Sequence, residues 1–270
     1  MPLAICATPI GNLDDVTLRV LEELRSADVV LCEDTRHTRV LLDRHGIRAA
    51  ELVSYHRHNE AARTVEVLER LRAGDRVALV SDAGLPGVND PGARLIAAAV
   101  VEGVDLTVLP GPSAVDTALV ASGLAADRFH FVGYLPRRAG ELRSLAAELR
   151  RWGGTVVAFE SPRRLPASLA VLAEELPGRP AAVCRELTKR YEDVVRDSLE
   201  ALAARFAEPP RGEITLVLGP GAEQLSQEDE DAARAAVAEL VDAGAGRRAA
   251  AEVVSRLTGT PRNTLYRGSL

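Results

Sequence analysis

Residues suited to binding a small polar ligand occur in a loop at positions 81–92, directly after the apolar run 77–80. The loop holds three glycines, two prolines and two aspartates. Glycine lets the backbone approach a ligand or adopt a positive φ, and proline keeps the rest of the loop still. Function concentrates on loops of this kind, so the composition indicates a binding loop. Asp90 and Pro91 then predict the start of a helix, as N-cap and first-turn residue.

Three other loops with unusual chemistry also follow apolar runs, at residues 7–12, 33–36 and 110–114. Taken singly, each has an ordinary explanation. Thr35 could cap a helix, Ser113 could end a turn and cap the next helix, and residues 7–12 could be a strand-to-helix turn. That all four loops lie at strand ends favours one shared site.

The elements that must position these loops alternate along the chain. Strands are predicted at residues 3–7, 28–32, 51–54, 77–80 and 104–109, and helices at 16–25, 35–44, 60–73 and from Pro91 to Gly103. This alternation predicts parallel strands with right-handed crossovers, in an open sheet covered by helices on both faces. The carboxyl ends of parallel strands share one edge, where such sheets bind ligands.

A second half begins after Gly123, and the pattern weakens over residues 129–138, which we interpret as a crossover. Helices are predicted at 141–152, from Ser161-Pro162 onward and at 198–206, and strands at 155–159, 181–184 and 213–218. The predicted fold class is α/β, with two domains of open, mostly parallel sheets and a short helical tail. We expect domains at residues 1–113, 114–222 and 223–270.

Composition and charge limit the class of protein. Net charge is −6, which argues against a general nucleic-acid coat but not against a local basic surface. Residues 243–270 carry five arginines and one acid, and Tyr266 could stack on a base. No apolar stretch is long enough to span a bilayer. The three separated cysteines are best explained as buried thiols in a reducing compartment, so we expect a cytoplasmic protein without a membrane partner.

Several common site types fit poorly. The chain has no GxxxxGK[ST] loop for phosphoryl transfer and no GxSxG elbow for a serine nucleophile. His56 and His58 could share one face of an extended segment, but a metal site needs further ligands that the sequence does not mark. We therefore predict no metal.

Seven motifs occur in order, at residues 7–13, 33–38, 56–60, 81–92, 109–113, 185–189 and 212–217. This set closely resembles the bacterial 16S ribosomal RNA cytidine 2′-O-methyltransferases, a branch of the tetrapyrrole (corrin/porphyrin) methylase superfamily. The resemblance covers essentially the whole chain. It implies a two-domain α/β methyltransferase that holds S-adenosylmethionine folded between its domains, usually as a homodimer, and that acts on 16S rRNA in the small ribosomal subunit.

The resemblance also implies which residues contact the cofactor. They are Pro9, Ile10, Asp82, Gly84, Leu85, Ser113, Ala114, Phe159, Gly212, Glu213 and Ile214. Leu85 and Gly87 stand where many members carry threonine and a larger aliphatic residue, which matters little if those contacts are made by the backbone. The first loop also differs from the GxGxGD version of superfamily relatives, which weakens a tetrapyrrole interpretation.

Methyl transfer to a ribose hydroxyl mainly requires alignment in a dry site, and a positioned proton acceptor would help. Candidate acceptors are Glu33, Asp34, His37 and Glu186, and Arg36 completes the predicted catalytic set of Glu33, Asp34, Arg36 and Glu186. The predicted RNA-binding residues are His37, His56, His58, Asn59, Arg185, Lys189, Arg247 and Arg248. A tetrapyrrole C-methyltransferase and a non-catalytic ribosome-binding factor remain alternatives.

Overall fold

The computed structural model describes residues 3–221, 227–258, 260 and 262–267, with two sheets followed by a group of helices. The first sheet contains β1 (Leu3–Cys6), β2 (Val29–Cys32), β3 (Leu52–Ser54), β4 (Val77–Val80) and β5 (Leu106–Leu109). Its order is β3-β2-β4-β1-β5, and every pairing is parallel. The helices between these strands are α1 (Leu18–Ser26), α2 (Thr35–Arg44), α3 (Glu60–Ala73) and α4 (Ala93–Val101).

The three inner strands of the first sheet, β1, β2 and β4, are apolar because both of their faces are covered. Along β1, Leu3 and Ile5 pack into the core beneath α3 and α4, whereas Ala4 and Cys6 pack into the core beneath α1 and α2. Successive side chains of a strand point to opposite faces, so a run without polar residues indicates a strand buried on both sides. The prediction of a covered parallel sheet is confirmed for this half.

One helix start was predicted wrongly. The helix α4 begins at Ala93, with Gly92 at its N-cap position at φ 131° and no side-chain cap. Asp90 and Pro91 therefore precede the helix, in the loop. A Cβ at position 92 would come within 2.9 Å of Leu79 Cδ2, so this loop packs directly on the core. The close packing requires glycine there.

The second sheet contains β6 (Phe129–Tyr134), β7 (Thr155–Glu160), β8 (Pro180–Arg185), β9 (Asp193–Ser198) and β10 (Ile214–Leu218). Its order is β6-β7-β10-β8-β9. Only β6 and β7 pair in parallel, and the other three pairings are antiparallel. The expectation of a mostly parallel second sheet is therefore wrong. The segment between β8 and β9 is too short for a crossover helix, so the chain must return antiparallel.

The helices of this second half are α5 (Ala114–Ser122), α6 (Ala139–Arg151), α7 (Leu165–Glu175) and α8 (Leu199–Arg205). Helix α5 covers one face of the sheet, where Ala118 and Leu119 pack with Val157 and Val217. The other three helices cover the opposite face. The chain thus passes from the first sheet to the second at Ser113, the N-cap of α5.

The C-terminal part forms α9 (Gln227–Asp242), α10 (Arg247–Thr258) and α11 (Arg262–Arg267). These helices share a small core of their own, which includes Val237, Val254 and Leu265. The side chain of Tyr266 lies outside the described residues. Within the described part of the chain, no helix is long and apolar enough to cross a membrane. The predicted boundaries at 113 and 222 stay a prediction.

Candidate active site

A cavity of about 470 Å³ lies between the two sheets, at the edge where the first sheet's strands end. The first half lines it with Ile10, Asp82, Ala83, Gly84, Val88, Asp90, Ser113, Ala114 and Val115. The second half lines it with Tyr134, Phe159, Glu160, Ser161, Pro162, Cys184, Leu187, Glu213, Ile214 and Thr215. Both halves therefore contribute walls to one cleft.

A smaller cavity of about 220 Å³ adjoins the first. The two share Ile10, Asp82, Ala83 and Glu213, and the smaller one is further lined by Pro9, His37, Leu41 and Lys189, among others. A ligand in the larger cavity and a second ligand in the smaller one would meet at Asp82.

The first loop (residues 7–12) and the loop at residues 81–92, here called the glycine loop, are joined by hydrogen bonds at one side of the cavity. Thr8 N donates to Gly84 O at 2.8 Å, and Gly84 N donates back to Thr8 O at 3.0 Å. The Thr8 hydroxyl also donates to Ser81 O at 2.9 Å. Gly84 adopts a φ of 76°, a backbone conformation that favours glycine. These bonds join the two loops close to Ile10 and Asp82, which both line the cavity.

The loop after β5 combines a structural role with a place in the site. The Ser113 side chain accepts from Asp116 N at 3.3 Å and so caps α5, which confirms the capping interpretation. The same residue lines the larger cavity together with Ala114 and Val115. The cap and the predicted contact to a ligand are therefore compatible.

The second half supplies an aromatic wall. The Phe159 ring packs edge-on against Phe131 at 5.0 Å and against Tyr134 at 5.5 Å between ring centroids. The next residue, Glu160, is buried and accepts from Ser161 N and the Ser168 hydroxyl, each at 2.5 Å. Glu160 also pairs with Arg164. These bonds hold the wall in place as β7 ends.

The carboxylate of Asp34 is already occupied by its own segment. It accepts from Arg36 N at 2.8 Å as the N-cap of α2, and the Arg36 guanidinium donates to both of its oxygens at 3.1 and 2.7 Å. These hydrogen bonds lower the pKa of Asp34 to about 2. Asp34, and not Thr35, is thus the helix cap. Neither Asp34 nor Arg36 lines either cavity.

Glu33 precedes the cap residue Asp34 in the sequence, and His37 lies in the first turn of α2. Burial, together with the nearby charge of Asp82, raises the pKa of Glu33. His37 lines the smaller cavity, with Nδ1 3.7 Å from Asp82 Oδ2. Asp82 also accepts from Asp34 N at 3.1 Å. The 33–37 segment is therefore tied to the glycine loop through Asp82.

Glu186, Lys189 and Glu213 form a clamp at the mouth of the cleft. Lys189 Nζ lies 3.0 Å from Glu186 Oε1 and 3.0 Å from Glu213 Oε2, and Glu213 N donates to Glu186 Oε1 at 2.9 Å. The hydrogen bond from Glu213 N, with Lys189 beside it, lowers the pKa of Glu186. A carboxylate held in this way is a weak proton acceptor, so the clamp favours a positioning role for Glu186.

The clamp depends on unusual backbone and joins the two halves. Glu186 and Thr188 adopt φ values of 52° and 65°. The Thr188 hydroxyl accepts from Asn12 N at 3.1 Å, so this loop contacts the first loop directly. Gly212, at φ 94°, packs against the Glu186 side chain, and a Cβ there would overlap it.

Other predicted site residues lie away from the cavities. The rings of His56 and His58 are 5.9 Å apart, and Asn59 accepts from His56 N and donates to Ser54 O. Arg185 pairs with Asp193 at 3.7 Å. Leu85 packs against the core of the first sheet. Arg247 and Arg248 begin α10. Their contacts with RNA or cofactor stay predictions. Among the described residues, no group of three or more acidic, histidine or cysteine side chains could hold a metal ion.

Sequence reasoning missed several cavity residues, chiefly Asp90, Tyr134, Glu160 and Thr215. Asp90 was interpreted as a helix cap, and Tyr134 lies on a strand that the pattern did not indicate. Glu160 follows Phe159 at a strand end, a position that could have been recognised. Cys184 lines the cavity as a buried thiol, and burial raises its pKa to about 12.

Comparison with known proteins decides the family. The family model for Tetrapyrrole (Corrin/Porphyrin) Methylases matches residues 2–203. The chain belongs to this family. Proteins named ribosomal RNA small subunit methyltransferase I are similar over almost all of it. That of Mesorhizobium japonicum is 44% identical, over 98% of this chain and 90% of that protein. That of Micromonospora olivasterospora is 47% identical, over 98% of this chain and 85% of that protein.

Solved structures agree on the fold. A diphthine synthase matches with a TM-score of 0.65 at 19% identity, over 83% of this chain and 91% of that one. The cobalt precorrin-4 methyltransferase CbiF matches with a TM-score of 0.60 at 19% identity, over 80% of this chain and 94% of that one. The predicted family, the two-domain methylase fold and a methyltransferase activity that uses S-adenosylmethionine are therefore confirmed.

Proposed function

We propose that this methyltransferase transfers the methyl group to the 2′-hydroxyl of a cytidine in 16S rRNA of the small ribosomal subunit. The observation that carries the proposal is the similarity to proteins named ribosomal RNA small subunit methyltransferase I, which extends over 98% of the chain at 44–47% identity. The solved structures of tetrapyrrole methylases share the fold at about half that identity, which supports only the architecture.

The larger cavity fits S-adenosylmethionine in size and chemistry. Its volume of about 470 Å³ lies in the usual range for sites that enclose small ligands. Phe159, Ile10 and Ile214 offer apolar surface for the adenosine part, and Asp82 and Glu213 offer negative charge to a cationic ligand. When bound, the cofactor supplies a methyl group on a positively charged sulfur. We infer that these residues, with Ser113 and Ala114, hold it.

The smaller cavity is the better candidate for the part of the RNA that adjoins the methylated ribose, whose hydroxyl must reach the larger cavity. His37, Lys189 and Asp82 line it, and it meets the larger cavity at Asp82. Lys189 has only 28% of its side chain exposed and is positioned by two carboxylates, so it offers a fixed hydrogen-bond donor, and not net positive charge, to the RNA at the cleft mouth. The chain's own residues would thus align an acceptor with the larger cavity.

We also propose that the C-terminal helices bind RNA and that the protein forms a dimer. The exposed arginines of α10, including Arg248 and Arg256, are suited to the phosphate backbone of RNA. We further infer a homodimer, as in the family, and a cytoplasmic location, which goes with a ribosomal substrate. Light scattering that gives the mass of a single chain, 28.8 kDa, would contradict the dimer.

A competition between acceptors tests the function. The protein is incubated with methyl-labelled S-adenosylmethionine and, separately, 30S subunits, naked 16S rRNA or a tetrapyrrole precursor. We expect label in the RNA of 30S subunits, recovered as 2′-O-methylcytidine after digestion. Label in the tetrapyrrole alone would replace the proposal by the C-methyltransferase alternative, and binding of subunits without transfer would favour the non-catalytic factor.

A further inference from the structure

Four carboxyl groups line the larger cavity, and three of them are engaged elsewhere. Glu160 is bonded to Ser161 N and the Ser168 hydroxyl. Glu213 pairs with Lys189, and its side chain is 75% exposed. Asp82 accepts from Asp34 N and faces His37. Asp90 is the fourth; it has a hydrogen bond with Ser81, and among the described residues it forms no salt bridge.

The backbone around Asp90 is held rigidly. The Arg57 guanidinium donates to Asn89 O at 2.6 Å, and Asn89 has a φ of 63°. The Asn89 side chain sits against Gly133 in the bulge of β6, where a Cβ would come within 3.0 Å of it. Gly92 packs on the core on the other side of Asp90. The segment is thus fixed to both halves of the molecule, and its carboxyl group faces the cavity.

Charged and polar groups from several elements face Asp90. Burial contributes most to raising its pKa to about 6, and the negative charges of Glu33 and Asp82 add to the rise. Arg57 and a hydrogen bond with Ser81 act in the opposite direction. Well above pH 6 the group is therefore ionised yet more basic than an ordinary aspartate, and well below pH 6 it is protonated.

Tyr134 shares this environment from the second sheet. Burial raises the pKa of its hydroxyl, and the charge of Asp90 contributes to the rise. Tyr134 and Asp90 both line the larger cavity, so its wall offers an uncharged hydroxyl as donor and a carboxylate as acceptor.

We propose that Asp90 is the catalytic residue that accepts the proton of the acceptor hydroxyl. The inference rests on the proposed function. As the hydroxyl oxygen bonds to the methyl carbon, the bond from that carbon to sulfur breaks and its electron pair stays on the sulfur, which becomes neutral. The hydroxyl proton passes to the Asp90 carboxylate, so charge and atoms balance. Of the other predicted acceptors, Asp34 and Glu186 are held by cationic partners and are weaker bases. Glu33 lines neither cavity, and His37 lines only the smaller one.

The test compares Asp90→Asn with the neighbouring variant Glu33→Gln. Single-turnover methylation of 30S subunits is measured from pH 5 to 9, and S-adenosylmethionine binding is measured by calorimetry. We expect Asp90→Asn to lose about 100-fold or more in rate at pH 8 while binding the cofactor within about threefold of wild type. Glu33→Gln removes a negative neighbour, so the acid limb of its rate profile should move to lower pH.

Asp90→Glu keeps a carboxyl group and should restore part of the rate together with the acid limb. Carbon-13 NMR of the labelled wild-type carboxyl groups gives a readout independent of turnover and of any folding defect in the variants. A carboxyl that titrates near pH 6 should be visible and should shift in Glu33→Gln.

An Asp90→Asn protein that retains more than a tenth of the wild-type rate would overturn the inference. So would a titration in which no carboxyl group changes between pH 5 and 7. A wild-type protein that transfers no methyl group to 30S subunits would instead overturn the proposed function. The two failures are therefore distinct, since the inference concerns the ratio between variant and wild type.

Discussion

The first sheet is parallel throughout and sends four loops to one edge, whereas the second has three antiparallel pairings and reaches the cleft mainly through the ends of β7, β8 and β10. The first half accordingly supplies the carboxyl groups Asp82 and Asp90 on glycine-rich backbone. The second supplies the aromatic wall at Phe159 and the clamp around Lys189. The parallel sheet thus brings its loops to one edge, and the mixed sheet supplies the residues that face those loops across the cleft.

Contacts between the two halves hold the walls of the cleft together. Ile10, in the first loop, belongs to the same hydrophobic cluster as Leu187 and Val157 of the second half. Thr188 accepts from Asn12 N close by. A change on either side of this contact should alter cofactor binding, whereas a change away from both this contact and the two cavities should alter only stability.

Replacing Asp82 by leucine should have the largest effect. The new side chain would fill the junction of the two cavities and remove the acceptor for Asp34 N, so S-adenosylmethionine binding should fall by about 100-fold or more. Calorimetry measures the affinity, and circular dichroism shows that the fold is intact. Unchanged affinity in the folded variant would mean that the first half does not hold the cofactor.

Gly212→Ala tests the second half in the same way. The residue would adopt an unfavourable φ of 94° and would displace Glu186 from the clamp, at a cost of about 3 kcal/mol in unfolding free energy and about tenfold in cofactor affinity. Gly74→Ala is the matched control, since its φ is 99° but open space surrounds it. This control should lower the free energy of unfolding by about 1–2 kcal/mol and leave cofactor affinity unchanged. Equal cofactor affinities in both variants would show that the clamp does not help to hold the cofactor.

Much of the first half could be predicted from the sequence, because its strands are apolar runs and its helices have clear ends, such as Gly74 after α3. The second sheet could not. Strand β6 is a largely exposed edge strand with a bulge, so Phe129–Tyr134 shows no regular pattern. Strand direction is a non-local property, and the residues of β10 do not reveal that it lies between β7 and β8. Asp90 was missed because aspartate before proline is typical of a helix start.

The arginines of the tail should have a smaller effect. Replacing Arg248 and Arg256 by glutamine leaves the small core of α9–α11 intact. If both contact phosphates, the slope of log affinity for 30S subunits against log salt should fall by about two, with cofactor affinity unchanged. Deletion of all residues after Gly244 should reduce the slope further. Wild-type binding and slope in both proteins would show that the tail does not contact RNA.

Asp34→Asn should have the smallest effect. Its lowered pKa means that the carboxylate stabilises the fold above about pH 4 and that this stabilisation is lost as pH falls towards 2. The variant should be slightly less stable than wild type at pH 7, and the difference should close between pH 4 and 2 in denaturant titrations. Turnover decides its other predicted role: a folded variant with normal cofactor affinity but no transfer would make Asp34 part of the acceptor site.

A crystal structure of the protein with the reaction product S-adenosylhomocysteine tests the shared cleft most directly. We expect the ligand in the larger cavity, in contact with Asp82 and Ser113 from the first half and with Phe159 and Ile214 from the second. Asp90 should lie at the end of the cavity nearest to the ligand's sulfur. A ligand bound to one half alone, or with its sulfur turned away from Asp90, would contradict the account.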